Sequence, residues 1–447
     1  MKQKYLINTV FFTLSISVWF SIALINTPAT KQNNVIYTNN CSTRHSSFIR
    51  ANLFGFSLET VKHDNLYSPQ PKLGRAVPLT GNLEQMSHFF NALKHVKTKK
   101  VRIAHYGDSL LLGDIITEYL RNNFQENFSG KGVGYLSIIA DDYRMKRTIY
   151  QSYSDDWNYL SFITRNPEQL QFGINGTLAI PKPNSWVKYE TTQTFKAINS
   201  FDIVRIFYSN ADKSTKIQYK IDQGTPIKVN LESGNDVKEL TILTNNSTTF
   251  YLQFLSGTSP NFYGVSLESM TGIYVDNFAM RGNSGASLQE LSPKILQEFN
   301  KHLLYDLIIL NYGANVSSPN KGVYSVYENK MVNIIEDFKR SFPKTSFLIV
   351  STADKTVKRG SQFITNPDIP LLLEAQKKIA ERTGVAFWNL WEAMGGNNSM
   401  NTWVSAAPPQ ALRDYSHFTY QGGERVGELL FNAIMDAYKK FSNNTSY

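Results

Sequence analysis

Four short stretches carry side chains suited to acyl-transfer chemistry. Gly107-Asp108-Ser109 places a hydroxyl directly after an apolar run. Asp414-Tyr415-Ser416-His417 sets a carboxylate and an imidazole three residues apart. On one turn Asp414 can hold the His417 ring in the tautomer that takes a proton from Ser109. Serine attack on a carbonyl develops an oxyanion, which needs N–H donors. Asn315, in Asn311-Tyr312-Gly313-Ala314-Asn315, offers a side-chain amide. In Met280-Arg281-Gly282-Asn283-Ser284-Gly285-Ala286, Gly285 lets a backbone N–H approach a ligand with no Cβ in the way, and Gly282 is an alternative. Singly, each has a plainer use: Asp108 and Ser109 suit a helix cap, Asn315 a turn, His417 a loop. All four in the order Ser…Asp…His argue for a serine hydrolase. The Gly-x-Ser-x-Gly of the α/β-hydrolases is absent.

The surrounding pattern predicts what positions them. Val101–Tyr106 reads as a buried strand, and Leu110 to about Phe128 as a helix. Ser109 is therefore expected where a strand turns into a helix, beside free N–H groups and a positive dipole end. Strands at Gly272–Asp276, Leu307–Leu310, Phe347–Val350 and Val385–Trp388 alternate with helices near Val323–Arg340, Pro370–Arg382 and Gly423–Lys440. Such alternation gives a parallel sheet covered on both faces. From about Tyr150 to Ser269 the pattern changes to short alternating strands, which predicts an antiparallel sandwich inserted into the α/β domain. Trp157, Trp186, Tyr189, Tyr208 and Tyr263 there either stack on sugar or pack the core. Leu83, Met86, Phe89, Phe90 and Leu93 recur at helical spacing, and Gly130-Lys131-Gly132-Val133-Gly134 reads as a structural turn, not a phosphate loop.

Bulk composition narrows the class. Over 447 residues, 42% hydrophobic and 13% aromatic content excludes global disorder. The net charge of +10 is carried by scattered Lys and Arg without a nucleic-acid motif, so no nucleic-acid partner is expected. Met1-Lys2-Gln3-Lys4 followed by an uncharged stretch from Tyr5 to about Ile25 reads as an export signal, either cleaved or kept as a membrane anchor. A polar, irregular stretch follows to Pro78. Cys41 is the single cysteine, so no internal disulfide forms, which suits a bacterial envelope better than a eukaryotic secretory product. None of the seven histidines pairs with another at His-x-x-x-His spacing, and neither metal nor other cofactor is expected.

The four stretches together resemble the blocks of the SGNH/GDSL hydrolases. The resemblance implies Ser109 as nucleophile, Asp414 and His417 completing the triad, and the Ser109 N–H, Gly285 and Asn315 forming the oxyanion hole. Gly107-Asp108-Ser109-Leu110-Leu111-Leu112-Gly113-Asp114, Trp391-Glu392-Ala393-Met394-Gly395-Gly396-Asn397-Asn398-Ser399-Met400, Trp403 and Pro408-Pro409 are similar to the peptidoglycan O-acetylesterase branch. That branch implies a three-layer α/β fold with an inserted, carbohydrate-binding-like β-sandwich, and substrate contacts at Ser399 and Trp403. The expected division is a signal or anchor at 1–25, a spacer at 26–78, hydrolase parts at 79–149 and 271–447, and the sandwich at 150–270. The expected function is removal of O-acetyl groups from an acetylated envelope polysaccharide, foremost peptidoglycan, in the periplasm or cell envelope. Membrane contact is expected only through a retained N-terminal segment. The same triad also serves an O-acetyltransferase, and a non-catalytic glycan-binding protein is a third reading.

Overall fold

The computed structural model describes residues 73–444 apart from Ser317 and Pro319. The expected signal segment and most of the expected spacer lie outside the described residues. The last residues before Pro78 pack on the domain: Arg75 N–H donates to Ala393 O at 2.8 Å, and Val77 O accepts from Trp388 Nε1 at 3.0 Å.

A six-stranded sheet forms the centre. Its strands, numbered along the chain, are β1 (Thr80–Gly81), β2 (Lys100–Gly107), β3 (Gly272–Ala279), β4 (Leu307–Asn311), β5 (Ser346–Val350) and β6 (Ala386–Trp388). They lie in the order β1-β6-β5-β4-β2-β3, all parallel except β1. Alternation along each strand sends its side chains to two layers. Val101, Ile103, Ile309 and Val350 face α1 (Ser87–Leu93), α2 (Thr117–Phe128) and, after the last strand, the long C-terminal helix (Tyr420–Asn444). Tyr106, Ile308, Leu310 and Ile349 face α3 (Pro293–Leu303), α4 (Gly322–Ser341) and α5 (Ile369–Thr383). This is the expected three-layer architecture.

The register sets where the site falls. Gly107 pairs with Ala279 on one side and Asn311 on the other, Asn311 with Val350, and Val350 with Trp388. The strand ends are therefore level, and the loops after them share one edge. The chain runs from β2 outward to β3 and then returns to the other side of β2 as β4. In open parallel sheets a ligand crevice forms at such a reversal, beyond the carboxyl ends.

Two antiparallel sheets occupy the stretch between β2 and β3. One orders Ile227–Asn230, Lys216–Ile221, Thr249–Ser256, Trp186–Thr191 and Ile149–Tyr153. The other orders Lys238–Ser247, Phe201–Ser209, Asn261–Glu268, Thr177–Ile180 and Asn158–Ser161, with Gly134–Leu136 beside Asn261–Glu268. Ile206, Tyr208, Phe262 and Val265 point into the space between the sheets with Val187, Tyr189 and Leu252. The alternate residues Phe207 and Tyr263 join Phe299 of α3 in the α/β core. The central strands of the second sheet, Phe201–Ser209 and Asn261–Glu268, are thus buried on both faces. Tyr189, Tyr208 and Tyr263 are core residues, and Trp157 donates to Trp186 O and packs on Phe262, so these four are not sugar platforms.

Buried charges also join the two parts. Arg102 on β2 pairs with Asp276 on β3 (2.7 Å) and with Glu268, which also receives Arg205 (3.3 Å) and Lys100 (2.5 Å). Burial alone would raise the Glu268 carboxyl, but the three cations hold it down at about 2.

One expected element differs. The helix predicted from Leu110 begins only at Thr117, because Ser109–Asp114 form 3-10 turns broken at Leu112 and Gly113, where Gly113 has φ 69°. Gly113-Asp114 inside the apolar run was the breaking signal. The Gly130–Gly134 stretch is the structural turn expected, with positive φ at Gly130, Gly132 and Gly134, entering the Gly134–Leu136 strand.

Candidate active site

Ser109 is the first residue past the Asp108 cap, two residues beyond the end of β2. Since α2 begins eight residues later, it is this short turn, not an α-helix dipole, that surrounds the hydroxyl. Its shape is held by Asp108, which is fully buried. One Asp108 oxygen accepts the Leu110 N–H (3.0 Å), and the other accepts the N–H groups of Gly313 (3.0 Å) and Ala314 (2.9 Å). Burial raises the carboxyl and these three donors offset it only in part. Asp108 thereby ties the Ser109 turn to the loop after β4.

A second buried carboxylate holds the far end of the turn. Asp114, at φ 69°, accepts both Arg121 guanidinium nitrogens (2.7 and 3.2 Å), Thr148 Oγ1 (2.9 Å) and Asn277 Nδ2 (3.0 Å). Burial would raise it, but Arg121 outweighs that and holds it at about 2. Gly113 N–H donates to Asp142 (2.8 Å). Asp108 caps the turn, as its residue type suits it to do, whereas the only local sign of a positioning role for Asp114 is its place after a helix-breaking Gly.

His417 Nε2 lies 2.9 Å from Ser109 Oγ, and its Nδ1 lies 2.7 Å from Asp414 Oδ2. The second Asp414 oxygen accepts the N–H groups of Ser416 (3.0 Å) and His417 (3.1 Å). Partial burial favours the neutral acid, but bonds from the His417 ring and these N–H groups hold Asp414 below the usual carboxylate range. Hydroxyl, imidazole and carboxylate therefore form one continuous hydrogen-bonded chain across 308 residues of sequence. His105, near the nucleophile in sequence, stays apart from it. It is buried against Thr117 (3.0 Å), and burial lowers its pKa to about 3.

The two expected oxyanion donors come to the same edge. Met280 N–H donates to Gly107 O (3.1 Å), which brings the β3 loop to the nucleophile strand. Asn315 Nδ2 donates to Asn283 O (3.1 Å), and the same nitrogen carries a second N–H. The Gly285 N–H is directed to its own loop, donating to Asn283 Oδ1 at 2.8 Å. Glycine is required there on two counts: φ is 89°, and a Cβ would stand 2.9 Å from the Tyr312 ring. Gly282 faces open space, so nothing in the packing demands glycine there beyond its φ of 74°.

Ser399 and Trp403, expected to touch substrate, are both buried. Ser399 is buried against Asp354 (3.4 Å), and Trp403 is fully buried with Nε1 donating to Met394 O (2.9 Å). Trp403 instead supports the histidine loop. Its ring packs on Phe418, and its carbonyl accepts the N–H groups of Gln410 and Ala411.

A cavity of about 260 Å³ opens over Ser109 and His417, walled by Leu112, Arg281, Leu412 and Phe418. The arrangement is suited to attack on a small ester: a hydroxyl beside a base, a base oriented by a carboxylate, and amide donors on neighbouring loops.

Fold and site together define a three-layer α/β protein with a Ser-His-Asp chain at the carboxyl edge of its sheet. No known family profile and no curated protein matches the sequence. Among solved structures, a peptidoglycan O-acetylesterase has a TM-score of 0.67 at 19% identity, over 81% of this chain and 99% of that one. That likeness establishes a shared fold, including the antiparallel part. A family-two carbohydrate esterase with a carbohydrate-binding domain from Corynascus thermopiles (Myceliophthora fergusii) has a TM-score of 0.27 at 14% identity, over 63% and 99%. The salicylyl-acyltransferase SsfX3 of a tetracycline biosynthetic pathway has 0.29 at 12%, over 64% and 97%. At those scores neither bears on this chain's fold or chemistry.

Proposed function

We propose that the protein is a serine esterase that removes O-acetyl groups from peptidoglycan in the cell envelope. Ser109 attacks the acetyl carbonyl while His417 takes its proton, and Asp414 steadies the imidazolium that forms. The Ser109 N–H and the Asn315 amide receive the oxyanion. His417 then protonates the leaving sugar oxygen, and water releases acetate by the same path in reverse. The observation that carries this reading is the Ser109–His417–Asp414 hydrogen-bonded chain at the edge of the cavity. The fold shared with a peptidoglycan O-acetylesterase supports the choice of substrate.

The test is acetate release from O-acetylated peptidoglycan with no acyl donor added, beside acetylated xylan. Free acetate should appear from peptidoglycan, and Ser109→Ala should lose about 10⁴-fold or more in kcat. Turnover near that of the wild type in folded Ser109→Ala would end the serine-esterase reading. Transfer of the acetyl group to added unacetylated glycan, with little free acetate, would replace it with an acetyltransferase.

A further inference from the structure

Arg281 has no part in the hydrogen-bonded chain, yet it occupies a telling place. It follows Met280, whose N–H is bonded to the end of β2, and it forms a wall of the Ser109 cavity. It also lines a second, smaller cavity of about 60 Å³, bounded by Asn277–Met280 on one side and by Ser137, Asp141, Tyr159, Asn175 and Thr177 on the other. Leu112 and Arg281 are common to both cavities, so the two adjoin. The second is built half from the central sheet and half from the antiparallel part.

Arg281 is exposed, and among the described residues it makes no ion pair. Of the other charged groups near it, Asp142, Lys146, Asp414 and His417 are already engaged. Asp142 holds the Gly113 N–H and pairs with Lys146 (3.3 Å), while Asp414 and His417 hold each other. Asp141 lines the smaller cavity with Arg281; its own burial and the Asp142 charge raise its carboxyl, and the Arg281 charge opposes them. A guanidinium with free N–H groups at the mouth of a half-enclosed cavity is a receptor for a planar anion, which it can bind by two parallel hydrogen bonds. The neighbouring Asp141 and Asp142 disfavour a doubly charged phosphate more than a singly charged carboxylate.

We infer that Arg281 binds a carboxylate carried by the same sugar unit whose O-acetyl group is presented to Ser109, selecting acidic over neutral acetylated glycans. This deepens the esterase reading and rests on it for the identity of the sugar. It makes Arg281 a specificity residue contributed by the β3 loop, and it gives the junction with the antiparallel part a role in holding substrate.

The test is a binding measurement on the full chain that needs no turnover. The probes are short glycan strands of alternating N-acetylglucosamine and N-acetylmuramic acid with free lactyl carboxylates, and the same strands with those carboxyls converted to primary amides. Titration calorimetry at low salt should show the acid bound at least tenfold tighter than the amide by the wild type. Arg281→Gln should erase that preference, and Arg281→Lys should keep part of it. Equal binding of the two probes, no binding of either, or a preference that survives Arg281→Gln each overturns the assignment. Acetate release is measured separately. A retained preference without any acetate release would defeat the esterase reading and leave the carboxylate site standing.

Discussion

The two sides of the cleft are built on opposite physical plans. The serine side is buried and cross-linked. Asp108 fixes three backbone N–H groups, Asp114 collects four donor atoms, and Asp142 holds Gly113, so both ends of the turn are tied to neighbouring strands and loops. The histidine side lies near the surface, with the Asp414 and His417 side chains 47% and 38% exposed. Its loop is fastened by Leu412 N–H to His417 O (2.8 Å), Thr356 N–H to Tyr415 O (3.1 Å) and a stack of Tyr415 on Phe363. Exposed backbone bonds of this kind open more readily than buried ones. The contrast separates two tasks. Under the proposed mechanism the nucleophile must not move as charge develops, whereas the base must admit water and take its proton in the second half-reaction.

Asp414, bonded to His417, and Asp108, next to Ser109 in sequence, thus have opposite expected phenotypes, which is the sharpest way to break the comparison. Asp414→Asn should show the largest effect, a kcat lower by about 10²–10⁴-fold, because the amide cannot support the imidazolium. Its Tm should shift little, since the side chain is half exposed and surface changes cost about 0.5 kcal/mol or less. A large loss of Tm with modest loss of kcat would make Asp414 a structural cap.

Asn315→Ala probes the boundary between the two sides. It should lower kcat by about 10²–10³-fold with a smaller change in KM, because an oxyanion donor acts on the transition state. A change confined to KM would assign Asn315 to substrate binding or to holding the Asn283 carbonyl.

Asp108→Asn should show the smallest free-energy change and the reverse pattern. The amide puts an NH₂ where backbone N–H groups converge and leaves donors unpaired, at a cost of about 1–3 kcal/mol. Thermal or denaturant unfolding reads this directly. An unaltered Tm would mean that the lock between the nucleophile turn and the Gly313 loop contributes nothing to stability.

Local pattern alone identified much of this molecule. The apolar runs Val101–Tyr106 and Leu307–Leu310, the second unbroken, report burial on two faces, and a buried parallel strand needs little else to be recognised. The order Ser109…Asp414…His417 is legible in the same way. What lay beyond reach depends on pairings that periodicity does not encode. Ser399 and Trp403 sit in a distinctive stretch, and only the packing of Trp403 behind Phe418 shows that they face inward. The Gly285 N–H can be assigned only once Asn283 is seen to accept it. Arg102 interrupts an apolar strand without any local sign that Glu268 and Asp276 neutralise it. The role of Asp108 is the clearest case. Its partners at Gly313 and Ala314 are more than 200 residues away, brought level with it by the parallel register of β2 and β4. The side chains available for chemistry are a property of the sequence. Which of them are buried, satisfied or left free to act was decided by tertiary contacts, because an unpaired charge or donor is costly only once water has been removed from around it.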